Sequence, residues 1–159
     1  MGPAGVALSP LGIRHATLFH RTREAALAEL RAFGAEPADD PRAPEITRLL
    51  QEYAAGQPVS LDHYPVDLPP GGGFQRRVWL ALREIPRGET RSYGWMARRL
   101  DQPGAARAVG AAAGANPIPL WLPCHRLVAG DGSLHGFGGG LAMKQALLEL
   151  EGALPRRLV

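Results

Sequence analysis

Ser92-Tyr93-Gly94-Trp95-Met96-Ala97-Arg98-Arg99-Leu100-Asp101-Gln102-Pro103-Gly104-Ala105-Ala106-Arg107-Ala108-Val109-Gly110-Ala111-Ala112-Ala113 is the stretch on which the fold turns. Ser92 has the hydroxyl of an N-cap and opens a helix over residues 93–100. Pro103 suits the start of a second helix, which runs through Arg107 and Val109 to about Ala113. Asp101-Gln102 leaves only a tight turn between the two, so the pair is a helix-turn-helix candidate.

Working outward, Phe74, Val78, Leu82 and Ile85 recur at i, i+4, i+8 and i+11, one apolar helical stripe that ends at Pro86. Leu141–Glu151 forms a closing helix, stopped by Gly152. Upstream, Leu68-Pro69-Pro70-Gly71-Gly72-Gly73 cannot be regular structure and reads as a linker. Before the linker, residues 6–8 and 13–19 are β-compatible, and Ser9-Pro10-Leu11-Gly12 has turn chemistry, which predicts a hairpin. Thr22 N-caps a helix expected to bury Ala26, Leu27, Leu30 and Phe33 and to stop at Gly34. Asp39, Asp40 and Pro41 open a second helix carrying Ile46, Leu49, Leu50 and Tyr53, ended by Gly56. Residues 59–68 read as one more strand. His15, His20 and His63 are expected to be surface or half-buried residues, with no catalytic constellation in this half. The expected architecture is α+β in two parts, residues 1–70 and 71–159.

The 159 residues are 45% apolar and 21% charged, the balance of a globular protein rather than a disordered or collagen-like chain, despite 20 Gly and 15 Pro. One cysteine excludes an intrachain disulfide and a multi-cysteine zinc site, so no metal or cofactor is expected. Residues 1–6 lack a basic secretory start, which together with the lone thiol predicts a cytoplasmic protein. The longest uncharged run, 108–124, is broken by Asn116, Pro117, Pro119 and Pro123 and is no membrane span. Charge is uneven. Residues 1–70 carry 6 basic and 9 acidic side chains, residues 71–159 carry 12 and 6, and all but Lys144 of the 18 basic residues are Arg. The excess of cations in the second half points to a polyanion partner.

Cys124 stands in Pro123-Cys124-His125-Arg126, with a base and a guanidinium beside the sulfur. A free thiol is only a few per cent thiolate at neutral pH, and an imidazole within reach, directly or through one water, raises that fraction. Neighbours in a strand face opposite ways, so a water relay is the easier geometry. A buried, inert cysteine and a thiol hydrolase both fit this short motif as well.

The wider context is more specific. Gly88-Glu89-Thr90-Arg91-Ser92-Tyr93-Gly94, Ala106-Arg107-Ala108-Val109-Gly110, Asn116-Pro117-Ile118-Pro119, Pro123-Cys124-His125-Arg126, and Gly138-Gly139-Gly140-Leu141 followed by Glu151-Gly152 resemble, in order and spacing, the O6-alkylguanine-DNA alkyltransferases. The resemblance covers roughly residues 74–152. It implies a small ribonuclease H-like α+β domain followed by a helical, winged-helix-like domain with the helix-turn-helix. The implied activity is that of a methylated-DNA–protein-cysteine methyltransferase. Such a protein irreversibly transfers the alkyl group of O6-alkylguanine, and of O4-alkylthymine, to its own cysteine.

On that resemblance Cys124 is the acceptor, His125 its base through a water, and Glu151 the carboxylate that orients the imidazole. Tyr93 supports proton transfer to the departing guanine, and Asn116 holds the active-site segment. Duplex DNA is implied as partner, bound by a monomer through the minor groove with the target guanine flipped out. Arg107 would fill the vacated space, and Ala106, Ala108, Ser92 and Arg126 would line the DNA. The guanine pocket would use backbone groups of Leu127, Gly138 and Gly139, with Phe137 as a stacking face. Departures from the family pattern are Trp95, where relatives often carry a polar or acidic residue, and the small Ala113 and Gly114. Two other readings remain: a non-catalytic alkyltransferase-like protein, which would lack the thiol, and a helix-turn-helix regulator, for which this Ala-rich helix has almost no base-reading side chains.

Overall fold

The computed structural model describes residues 1–70 and 73–156, so Gly71 and Gly72 of the linker lie outside the described residues. It is a mixed α/β structure with six α-helices and two small sheets among those residues. The chain divides into two compact units, Met1–Leu68 with Pro117–Trp121, and Pro69–Asn116 with Leu122–Val159.

In the first unit, β1 (Val6–Ser9) and β2 (Gly12–Ala16) form the antiparallel hairpin. Leu11 N–H bonds to Ser9 Oγ at 3.1 Å inside the turn. Gly12 is obligatory there: φ is +149°, and a Cβ would sit 2.4 Å from the Pro65 carbonyl oxygen. The strand expected over 59–68 does not form. Pro65 has no N–H to give to a ladder, and among the described residues the segment makes one parallel bridge, Val66 to Ile13. Ile13 N–H reaches Pro65 O at 2.9 Å, and Asp67 N–H reaches Ile13 O at 2.8 Å.

Helix α1 (Arg23–Ala32) starts where Thr22 Oγ1 accepts the Ala25 N–H at 3.2 Å. It buries Ala26 and Leu30, but Phe33 is 62% exposed, contrary to expectation. The helix ends at Ala32, so Phe33 leaves the apolar stripe and stacks on the His15 ring with centroids 3.5 Å apart. Helix α2 (Ala43–Ala54) begins later than Pro41 suggested, because the Asp40 carboxylate ties down the Arg42 N–H and guanidinium in a preceding turn. Ile46 and Tyr53 are buried, while Leu49 and Leu50 are only half-buried. Pro117–Trp121 also belongs to this unit: Pro117 O accepts the Ala16 N–H at 3.0 Å, and Ile118, Leu120 and Trp121 are buried.

The second unit opens with α3 (Gly73–Ala81) and a 3-10 turn (Leu82–Glu84), on which Val78, Leu82 and Ile85 are fully buried and Phe74 is half-buried. β3 (Arg91–Ser92) leads straight into α4 (Tyr93–Arg99), where Ser92 Oγ accepts the Trp95 N–H at 3.0 Å. Asp101 takes a left-handed conformation (φ 59°), and Gln102 N–H closes on Ala97 O at 2.9 Å. Helix α5 (Ala106–Gly114) starts three residues beyond Pro103, because Ala105 N–H first closes a turn on Gln102 O at 2.9 Å. Trp79 Nε1–H fastens α3 to α5 through the Ala112 carbonyl at 2.8 Å. A 3-10 turn (Cys124–Arg126) then runs into β4 (Leu127–Val128), which pairs in parallel with β3, Arg91 opposite Leu127 and Ser92 opposite Val128. That pairing sets the start of α4 beside the cysteine turn. Helix α6 (Leu141–Glu151) ends at Gly152, which is left-handed (φ 82°). Among the described residues, no helix is long and apolar enough to cross a membrane.

Candidate active site and DNA-facing surface

Cys124 is buried at the first position of the 3-10 turn, not on a strand. Its N–H bonds to Leu122 O at 2.8 Å, and Asn116 Nδ2–H takes the same carbonyl at 2.7 Å. Asn116 thus clamps the loop that carries the thiol. Burial pushes the thiol above its ordinary range, while a hydrogen bond from Asn116, the Lys144 charge and the local backbone N–H groups oppose that push.

Lys144, which sequence reasoning passed over, completes the site. It is 1% exposed, and its Nζ donates to Tyr93 Oη and to His135 O, both at 3.2 Å. Burial lowers its pKa, against a smaller opposing pull from Cys124. The ammonium lies 5.6 Å from the Tyr93 ring centroid and 6.0 Å from that of Phe137. The signal was present: the sole Lys of the chain shares the buried face of α6 with Leu147, Leu148 and Glu151. Tyr93 donates to His135 O at 3.4 Å, and burial, then the neighbouring Cys124, raises its pKa so that the phenol keeps its proton.

At the other end of α6, Glu151 meets His125 and Arg126. His125 Nε2 is 3.0 Å from Glu151 Oε1, though off the alignment of a full hydrogen bond, and His125 Nδ1 is buried with no hydrogen-bond partner among the described residues. A carboxylate on Nε2 favours the tautomer that leaves Nδ1 as acceptor. Burial alone would raise the Glu151 carboxyl, but contacts with His125 and Arg126 outweigh it and hold the group below the usual carboxylate range. Arg126 corrects an expectation. Instead of facing DNA it is 2% exposed, with Nε and Nη2 both 2.9 Å from Glu151 oxygens and Nη1 donating to Ile85 O at 2.7 Å. It is a buried anchor for the cysteine turn. Gly88 (φ +84°) serves the same anchoring, since a Cβ there would stand 3.2 Å from Glu151 O.

The remaining expected residues fall in two places. Leu127 is buried, and its N–H caps the turn on Cys124 O, so one lone pair of that carbonyl is already used. Phe137 is half-buried, while Gly138 and Gly139 are exposed on the loop before α6, with nothing within 4 Å of a notional Gly138 Cβ. On α5, Arg107 and Ala108 are exposed and Ala106 is half-buried; Gly104, Ala105, Arg107, Ala108 and Ala111 line one shallow concavity. Among the described residues Arg107 has no ion-pair or hydrogen-bond partner. Ser92 is half-buried and spends its oxygen on the cap. No group of three or more His, Cys, Asp or Glu suited to a metal occurs among the described residues.

A buried thiol under the influence of Asn116 and Lys144, in the same unit as two short helices joined by a tight turn, makes up the candidate site. Comparison with known proteins narrows this. Residues 73–153 match the family described as 6-O-methylguanine DNA methyltransferase, DNA binding domain. The methylated-DNA–protein-cysteine methyltransferase of Mycolicibacterium paratuberculosis is 55% identical over 102 residues, 64% of this chain and 61% of that protein. Its counterpart from Methanosarcina acetivorans is 48% identical over 110 residues, 69% of each. A crystal structure of Mycobacterium tuberculosis OGT in complex with DNA superposes with a TM-score of 0.77 at 40% identity, covering 96% of this chain and 88% of that one. The chain belongs to the 6-O-methylguanine DNA methyltransferase family. The match to the M. paratuberculosis relative spans about 61% of that protein's length.

Proposed function

We propose that the protein repairs O6-alkylguanine, and O4-alkylthymine, in DNA by moving the alkyl group onto Cys124, once per chain. The observation that carries this is the only cysteine, buried between Asn116, Tyr93 and Lys144 inside the region that matches the family. Sγ attacks the alkyl carbon; the S–C bond forms as the C–O6 bond breaks, and the O6 electron pair returns to the purine. His125 Nδ1, the unpartnered buried acceptor, takes the thiol proton through a water. Tyr93, which keeps its proton, supplies one near guanine N3 once it lets go of its long bond to His135 O, and the Lys144 ammonium steadies the phenolic oxygen. The thioether has no good leaving group, and no second thiol exists to regenerate the first.

A target base must leave the stack to reach a buried thiol. The small residues of α5 allow close approach to a minor groove, with Arg107 free to occupy the vacated space. This reading extends to a ribonuclease H-like part over 1–70, a winged-helix-like part over 71–159, and a monomer working in the cytoplasm.

The test is titration with excess O6-methylguanine duplex followed by peptide mass mapping. Product formation stops at the protein concentration, with one methyl on Cys124; Cys124→Ala transfers none yet still binds the duplex. Repeated turnover, or a methyl elsewhere, overturns the reading.

A further inference from the structure

The outer face of α4 is not absorbed by this chemistry. Met96, Ala97 and Leu100 turn inward, which leaves Trp95, Arg98 and Arg99 at i, i+3 and i+4 on the other side. Trp95 is half-buried, and its indole is covered on one face by the Arg91 guanidinium, 5.5 Å from the centroid. Arg91 is itself fixed by Glu89 Oε2 at 2.5 Å and by Thr90 O at 2.9 Å, so it holds the indole plane. Arg99 is paired with Glu84 at 2.8 Å. Arg98 is exposed and has no ion-pair or hydrogen-bond partner among the described residues, and its Nη1 lies 3.5 Å from where a Gly94 Cβ would be, so the bare Gly94 lets it fold back along the helix. A half-buried aromatic on a helix surface with an uncompensated guanidinium one turn away is an unused cationic and apolar contact. The first helix of a helix-turn-helix is the element that crosses the nucleic-acid backbone.

We propose that Trp95 and Arg98 form a second DNA contact, separate from α5. Arg98 neutralises a backbone phosphate, and the indole packs on the adjoining deoxyribose while Arg91 holds its far face. This rests on the reading above that the chain binds duplex DNA. The contact positions the duplex and reads no bases, because it reaches only the sugar–phosphate backbone.

The experiment uses the tryptophans themselves. Of the three in the chain, Trp79 and Trp121 are 6% and 0% exposed, so acrylamide-quenchable emission reports Trp95. Saturating lesion-free duplex removes that quenchable component, and Trp95→Phe lacks it from the start. Trp95→Gln weakens duplex binding roughly three- to tenfold, with a larger loss on duplex repair than on reaction with free O6-benzylguanine. Arg98→Gln lowers the slope of log affinity against log salt by about one. Quenching that persists in a duplex-saturated protein, or Trp95→Gln binding as tightly as the parent, overturns the second contact alone. Failure of the parent protein to bind any duplex instead overturns the function on which it rests.

Discussion

Each unit of the molecule places one glutamate against two basic side chains, and the two arrangements behave differently. In the first unit, Glu29 bridges His20 Nε2 at 2.7 Å and His15 Nε2 at 3.4 Å, with its own side chain 37% exposed. Burial pulls the His15 pKa down while Glu29 pulls it up. In the second unit, Glu151 meets His125 and Arg126 with its side chain 0% exposed. Glu29 is open to solvent screening and Glu151 is not, so similar chemistry is a partly screened tie in one place and a buried anchor in the other. The comparison teaches that residue type alone does not mark a site; removal from solvent does.

Breaking the second arrangement gives the largest effect. Glu151→Gln leaves Arg126 buried without its counter-charge and lowers stability by about 3–5 kcal/mol, read by urea denaturation at neutral pH. Because the folded carboxyl is held below its ordinary value near 4.5, its contribution is fully present above that pH and is lost as pH falls below it. The difference between parent and variant therefore shrinks in acid. An acid-independent difference would mean that Glu151 acts by packing alone.

Lys144→Met comes next. It removes the charge that favours the Cys124 thiolate, so Cys124 alkylation by the free base slows on the order of tenfold at neutral pH. The pH–rate profile also moves to more alkaline values, whereas Lys144→Arg restores part of the rate. An unmoved profile would leave Lys144 a purely structural residue. Arg107→Ala follows, with duplex repair reduced roughly tenfold and reaction with free base reduced less. Equal losses on both substrates would remove Arg107 from the duplex-opening step. The smallest effect belongs to the first arrangement: Glu29→Gln costs less than about 1 kcal/mol. A penalty as large as that of Glu151→Gln would erase the contrast between the two units.

How much was legible from sequence follows the same division. The caps at Thr22 and Ser92, the left-handed stop at Gly152 and the stripe through Val78, Leu82 and Ile85 form as read, because each is encoded within a turn or two of helix. The strand over 59–68 and the buried Phe33 failed because each needed a partner that the local pattern does not name. The same holds for Arg126. As one letter it is a cation in a basic half, and only the return of α6, 25 residues later, makes it a buried anchor.

By itself, then, the sequence determined the two short helices on either side of the tight turn at Asp101-Gln102, the lone cysteine with its neighbouring histidine, and the charge asymmetry, since these are properties of adjacent residues or of composition. Tertiary structure alone decided that Pro117–Trp121 groups with the first unit, that Glu151 is shared between His125 and Arg126, and that Lys144 reaches Tyr93 across 51 positions. Those outcomes depend on which groups lose their water, and desolvation is set by elements distant in the chain that pack together.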